Sequence, residues 1–161
     1  MIKKITIAID AMGGENAPEK TIDGVKLFLK KNQTHDDFII NLFGDKKRIE
    51  EKLEKENIDR TNLKITHTDS VVADDETPLT AIKNSKNTSM WNCISSQVTG
   101  DADISLSAGN TGVLLVVSRM ILKMMDDVSK PALAGLWPNN KNTNVVLDLS
   151  LIHISEPTRL R

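Results

Sequence analysis

Short β-branched runs alternate with amphipathic helical stripes along this chain, and that alternation restricts the fold more than any other feature. Ile5-Thr6-Ile7-Ala8-Ile9 ends on Asp10 and precedes the turn-forming pair Gly13-Gly14, so it reads as the first, buried strand of a parallel sheet. Asn16 then offers a helix N-cap, with Pro18 in the first turn and Glu19 three residues on, and Ile22, Val25 and Leu29 follow at helical spacing. A second strand, 38–43, ends at Gly44-Asp45 and leads into a surface helix whose only apolar stripe is Ile49 and Leu53. Further strands are expected at 63–67, 103–106 and 145–149, with helical segments between them. The expected fold class is therefore α/β: a doubly wound, largely parallel sheet with helices on both faces. Residues 139–144, rich in Asn, read as a surface hairpin turn and not as an interdomain tether, so a single domain is expected.

Charge and composition narrow the function classes. Lys and Arg total 21 against 22 Asp and Glu, which leaves no basic excess to neutralise a nucleic-acid backbone. Aromatic residues are 3% of the chain with no Tyr, so few side chains can stack on bases; no nucleic-acid partner is expected. Cys93 is the single cysteine, which excludes an internal disulfide or a paired-cysteine metal site and fits a reducing cytoplasm. The opening residues lack the apolar block of a signal peptide, and the run 113–117 is far shorter than the roughly 20 apolar residues of a membrane span. The carboxylates have no ligand spacing and Asp10 has no Asp-x-Asp partner, so neither a metal nor a cofactor is expected.

Ligand chemistry in an open α/β sheet belongs at the carboxyl ends of the strands, and two loops there are unusual. The first, 10–18, places Gly13 and Gly14 ahead of a helix N-terminus, where backbone N–H groups can approach an anion; a tight strand-to-helix turn with an ordinary cap explains it equally. Its glycine spacing matches neither a dinucleotide fingerprint nor a Walker loop. The second, Ser107-Ala108-Gly109-Asn110-Thr111-Gly112, opens an apolar helix, 113–124, that is expected to be buried and so to hold its N-terminus rigidly. Ser107, Asn110 and Thr111 surround that terminus with short polar groups suited to a phosphate or an oxyanion, or simply to capping. Between the loops, Lys83 and Lys86 offer positive charge, and Thr88-Ser89 can cap a helix whose apolar stripe is Met90, Cys93, Ile94 and Val98. Cys93 on that stripe reads as an inert core thiol, and His67, ending a strand, as a base or a loop hydrogen-bonder.

The run Ile7-Ala8-Ile9-Asp10-Ala11-Met12-Gly13-Gly14-Glu15-Asn16-Ala17-Pro18 resembles the opening motif of the bacterial phosphate acyltransferases of phospholipid synthesis, the PlsX family. Gly44-Asp45, His67 with Val71 and Pro78, Lys86 with Ser89-Met90, Ser107 through Gly112, and Lys130-Pro131-Ala132-Leu133 follow in family-like order. The resemblance covers residues 2 to about 149. It implies a Rossmann-like fold of the isopropylmalate dehydrogenase and phosphotransacetylase type, a cytoplasmic homodimer with peripheral membrane attachment left open, and transfer of an acyl group from acyl carrier protein to inorganic phosphate. The downstream membrane acyltransferase is a further implied partner. Catalytic candidates are Asn110, Ser107 and His67. Candidates for binding phosphate or the acyl group are Asp10, Gly13, Gly14, Asn16, Lys83, Lys86, Ser89, Gly109, Thr111 and Gly112. Residues 83–87 are less basic than the family pattern, which weakens expected phosphate or carrier-protein contacts there.

After Asp148 the likeness stops. Residues 1–149 are expected to be the N-terminal part of one acyltransferase domain, and 150–161 a non-family tail of the kind left by a sequencing adaptor. A truncated sheet of this kind is expected to be poorly soluble and inactive on its own. Two other classes stay open at this point: a nucleotide-binding α/β enzyme with Asp45 on a ribose hydroxyl, and a non-catalytic interaction protein whose loops are only caps.

Overall fold

The computed structural model describes residues 4–32, 37–73, 76–128 and 131–147. It divides into two compact units, Met1–Leu122 and Lys123–Arg161.

In the first unit, four parallel strands, β1 (Ile5–Asp10), β2 (Phe38–Gly44), β3 (Leu63–His67) and β4 (Ile104–Ser107), lie in the order β3-β2-β1-β4. The chain winds outward from β1 through α1 (Glu19–Lys31) to β2 and through α2 (Lys46–Lys55) to β3. It then crosses to the other side of β1 through α3 (Pro78–Asn84) and α4 (Ser89–Val98), enters β4, and continues into α5 (Thr111–Leu122). That reversal makes the gap between β1 and β4 the switch point of the sheet, where open α/β folds bind ligands.

Aliphatic burial holds the layers. On one face Ile22 and Val25 of α1 and Ile49 and Leu53 of α2 pack on Phe38, Ile40 and Leu42; burying each such side chain contributes about 1.5–3 kcal/mol. On the other face Cys93 of α4 meets Ala8, Phe43 and Ala102. A third cluster, Ala81, Met90, Ile94, Val113 and Val117, joins α3, α4 and α5. Helices thus cover both faces of a parallel sheet, the Rossmann-like α/β arrangement that the alternating pattern predicts.

Several local expectations are corrected. Asn16 does not cap α1: its φ is 56°, in the left-handed region that Asn tolerates, and the helix starts at Glu19 behind Pro18 with no side-chain cap. The fourth strand begins one residue later than read, because Asp103 exchanges bonds with Thr6 at the strand entrance: its N–H donates to Thr6 O at 2.8 Å and its Oδ2 accepts from Thr6 N at 2.9 Å. Helix α5 is not buried all round. Gly112 is buried and Val113 and Val117 pack against α3 and α4, whereas Met120 and Leu122 are exposed. Val98, in the last turn of α4, is likewise exposed while Met90, Cys93 and Ile94 are buried.

The second unit contains β5 (Ala134–Pro138) and β6 (Thr143–Leu147), an antiparallel pair in which Leu136 faces Val145. The last strand expected in the parallel sheet is therefore the second arm of a hairpin. The reason is the connection: the four residues between Pro138 and Thr143 can reverse the chain but cannot carry a parallel crossover. Asn139 closes the expected turn, its Oδ1 accepting from Lys141 N at 2.8 Å and Asn142 N at 2.7 Å. Lys130, the end of the predicted last strand at 148–149 and the tail 150–161 lie outside the described residues.

Candidate functional site

Strand register builds the site. Asp10, last in β1, pairs with Ser107, last in β4, so the loops that follow both strands leave the sheet side by side at the switch point. Asp10 is 2% exposed, and its carboxylate joins the two loops. Oδ1 accepts from the Met12 N–H of the first loop at 3.2 Å, and Oδ2 accepts from the Ser107 hydroxyl at 2.7 Å. Ser107 Oγ in turn accepts from Gly109 N–H at 3.1 Å. One carboxylate thereby fixes a hydroxyl, and that hydroxyl fixes an amide of the second loop.

Glycine is required where the loops touch. A Cβ on Gly13 would lie 2.7 Å from Asp10 Oδ2 and 2.8 Å from both Gly109 N and Ser107 Oγ. Behind the second loop is the first turn of α4, with Met90 Cε 3.0 Å from where a Gly109 side chain would begin.

The second loop ends in the cap of α5. Asn110 Oδ1 accepts from Val113 N at 3.2 Å, its carbonyl accepts from Leu114 N at 2.9 Å, and its Nδ2 donates to Glu76 O at 2.9 Å. Asn110 thus ties the helix start to the segment ahead of α3. The Thr111 and Gly112 N–H groups, as first-turn donors, have no carbonyl one turn back within the helix and carry its positive end. Together the two loops form a small-residue cradle of backbone donors against a helix terminus, an arrangement that suits a phosphate or a developing oxyanion.

The remaining candidates are spread around this cradle. Asn16 follows Gly14 in the first loop, where its left-handed conformation continues the turn. Ser89 is buried as the first residue of α4, its N–H donating to Ser70 O at 2.9 Å, beneath a cap in which Thr88 Oγ1 accepts from Trp91 N at 3.2 Å. Lys83, in the last turn of α3, and Lys86, in the turn behind it, are both exposed. His67 stands apart. It ends the edge strand β3, three strand spacings, or about 14 Å, from β4. Its Nδ1 accepts from Lys46 N at 3.2 Å and its Nε2 pairs with Asp69 Oδ1 at 2.9 Å, which places the ring proton on Nε2. These bonds tie it to the start of α2.

Cys93 is fully buried, and its thiol is pushed up to about 12, first by burial and then by the nearby Asp10 charge, which disfavours the thiolate that a nucleophile needs. Among the described residues there is no cluster of three or more His, Cys, Asp or Glu able to hold a metal ion, and no helix long and apolar enough to cross a membrane.

The hub role of Asp10 is the feature that sequence reasoning missed. Its signal, a carboxylate closing one strand opposite a serine closing another, becomes visible only once β1 and β4 are known to be neighbours.

Residues 5–159 match the family model described as fatty acid synthesis protein. Relatives named phosphate acyltransferase include one from Pelagibacter ubique, 46% identical over 92% of this chain and 43% of the relative, and one from Bradyrhizobium diazoefficiens, 37% identical over 92% of this chain and 42% of the relative. The chain thus spans less than half the length of these curated relatives. Among solved structures, a EutD phosphotransacetylase from Staphylococcus aureus superimposes with a TM-score of 0.55 at 16% identity, over 89% of this chain and 46% of that one, a likeness of fold. Resemblance in the two loops, a match to the family model over nearly the whole chain and similarity to named relatives agree: the chain belongs to the fatty acid synthesis protein family, that of the bacterial phosphate acyltransferases.

Proposed function

We propose that the protein of which this chain forms part transfers a fatty acyl group from acyl carrier protein to inorganic phosphate, giving an acyl phosphate for phospholipid synthesis. The observation that carries this reading is the meeting of the Gly13-Gly14 loop with the Ser107–Gly112 loop beside the N-terminus of α5, at the sheet's switch point. An oxygen of the hydrogen phosphate dianion attacks the thioester carbonyl, a C–O bond forms, and the C–S bond breaks, the proton of the phosphate ending on the departing sulfur so that the carrier leaves as its thiol. The protein's tasks are to hold the dianion, align it and stabilise the tetrahedral oxyanion, with no covalent enzyme intermediate. In this reading Gly13, Gly14 and Asn16 shape one side of the cradle, Gly109, Asn110, Thr111 and Gly112 the other, and Lys83 and Lys86 add positive potential. Ser89 starts the helix α4 that backs the second loop, and His67 serves at the outer rim. The working protein is a cytoplasmic homodimer that hands its product to a membrane acyltransferase, and this chain supplies the N-terminal part of its domain.

The test begins with resequencing the gene from the Asn144 codon onward, followed by assay of the complete product for phosphate-dependent release of carrier thiol and formation of acyl phosphate. Asn110→Ala should lower kcat/KM at least tenfold, roughly the effect of losing one positioned donor or its support. Normal turnover and normal phosphate affinity in that variant would remove the second loop from the mechanism.

A further inference from the structure

We propose that Asp10 is the positioning residue of this site: it acts through Ser107 to set the second glycine loop and makes no contact with the phosphate. The inference rests on the acyl transfer reading above and deepens it. Both Asp10 oxygens are already engaged, Oδ1 by Met12 N–H and Oδ2 by the Ser107 hydroxyl. A buried carboxylate so placed repels a dianion, yet it is an ideal acceptor for the one proton that Ser107 owns. With that proton committed to Asp10, Ser107 Oγ turns a lone pair to Gly109 N–H. Ser107 therefore has no proton left to donate to a substrate oxyanion, and its part is to fix where the loop runs. The backbone from Ala108 to Gly112 is then held from both ends, by Ser107 on the strand side and by the Asn110 cap on the helix side.

An amide at position 10 would break this chain of bonds in a defined way. Its oxygen can keep Met12 N–H, which leaves an NH₂ facing the Ser107 hydroxyl, a second donor where an acceptor stood. The Ser107 proton then loses its acceptor, and the hydroxyl must turn away from position 10 or accept from the new amide, which shifts the oxygen that holds Gly109 N–H.

The experiment uses the full-length protein with Asp10→Asn and Ser107→Ala, singly and together, and varies inorganic phosphate. Each single variant is expected to raise the phosphate KM about tenfold with kcat changed less than about threefold, and the double variant to be no worse than either, because the two residues act as one unit. Ser107→Thr, which keeps the hydroxyl, should restore the phosphate KM. Multiplying effects in the double variant, or a collapse of kcat in Asp10→Asn with loss of the acidic limb of the pH profile, would overturn the proposal by making Asp10 a base acting on phosphate directly. Should Asp10→Asn fail to fold, Ser107→Ala and its Thr rescue decide alone: an unchanged phosphate KM in Ser107→Ala overturns the inference. If the wild-type protein forms no acyl phosphate, the acyl transfer reading fails by itself, and the positioning role is read from the Gly109 amide. Its hydrogen exchange should quicken at least about tenfold in Ser107→Ala; an unchanged rate overturns the role.

Discussion

Gly14 and Ala108, on different loops, approach more closely than any side chain at position 14 would allow: a Cβ there would stand 2.6 Å from the Ala108 carbonyl oxygen, and the Gly14 φ is +90°. Gly14→Ala therefore meets both a backbone clash and a conformation that L-residues disfavour, and should cost at least about 2 kcal/mol. Gly24, in the exposed middle of α1, has nothing within 4 Å of its would-be Cβ. Gly24→Ala should stabilise by about 0.5–1 kcal/mol through helix propensity. Thermal melts of the two variants should move in opposite directions; equal shifts would contradict the loop contact.

The buried Cys93 thiol, pushed up to about 12, should resist iodoacetamide at pH 8 in the folded protein and react at once in guanidinium chloride. Rapid labelling of native protein would show that α4 does not seal the sheet face as described.

Glu56 bridges α1 and α2, meeting Lys26 Nζ and Lys52 Nζ at 2.8 Å each, while Lys52 also reaches Asp23 at 2.8 Å. Hydrogen bonds from Lys26 and then Lys52 hold its carboxyl at about 2, against 4.5 for the free group. A depressed carboxyl stabilises the fold above its unfolded value and loses that contribution as pH falls from about 4.5 towards 2. Acid titration of the melting temperature should show this loss, Glu56→Gln should flatten it, and added salt should shrink the difference between the two proteins.

Thr88 caps α4 and also donates through Oγ1 to Ser85 O at 2.6 Å. Thr88→Ala should cost about 1–2 kcal/mol in denaturant unfolding, and Thr88→Ser should recover most of it. An Ala variant as stable as wild type would mean that α4 owes its start to packing alone.

Much of the first unit was legible because each element carries its own local signature. β3 has the bounds that its sequence predicts, and Ile22, Val25, Ile49 and Leu53 lie on the buried faces that their spacing predicts. The hairpin turn at Asn139 was legible for the same reason. What failed was long-range or cooperative. β5 has a weak strand signature because Gly135 and Pro138 dilute its pattern, and without it β6 reads as a fifth parallel strand. Asn16 looked like a cap because sequence shows residue type but not the left-handed turn that the first loop makes. For the site, glycine pairs and polar helix starts marked both loops, yet nothing local tells which strand lies beside β1. The partners of Asp10 and His67 therefore appeared only in three dimensions.

The hydrogen bond between Asp10 and Ser107 joins residues 97 positions apart, and this separation bears on when the site comes into being. A nascent chain can pair β1, β2 and β3 through short helical connections well before β4 has been synthesised, but the second loop has no place to rest until β4 docks against β1. Long-range closures of this kind are slow because chain entropy must be lost before any contact compensates for it. The cradle should accordingly be among the last features to form in refolding, with Gly109 amide protection appearing after that of β2.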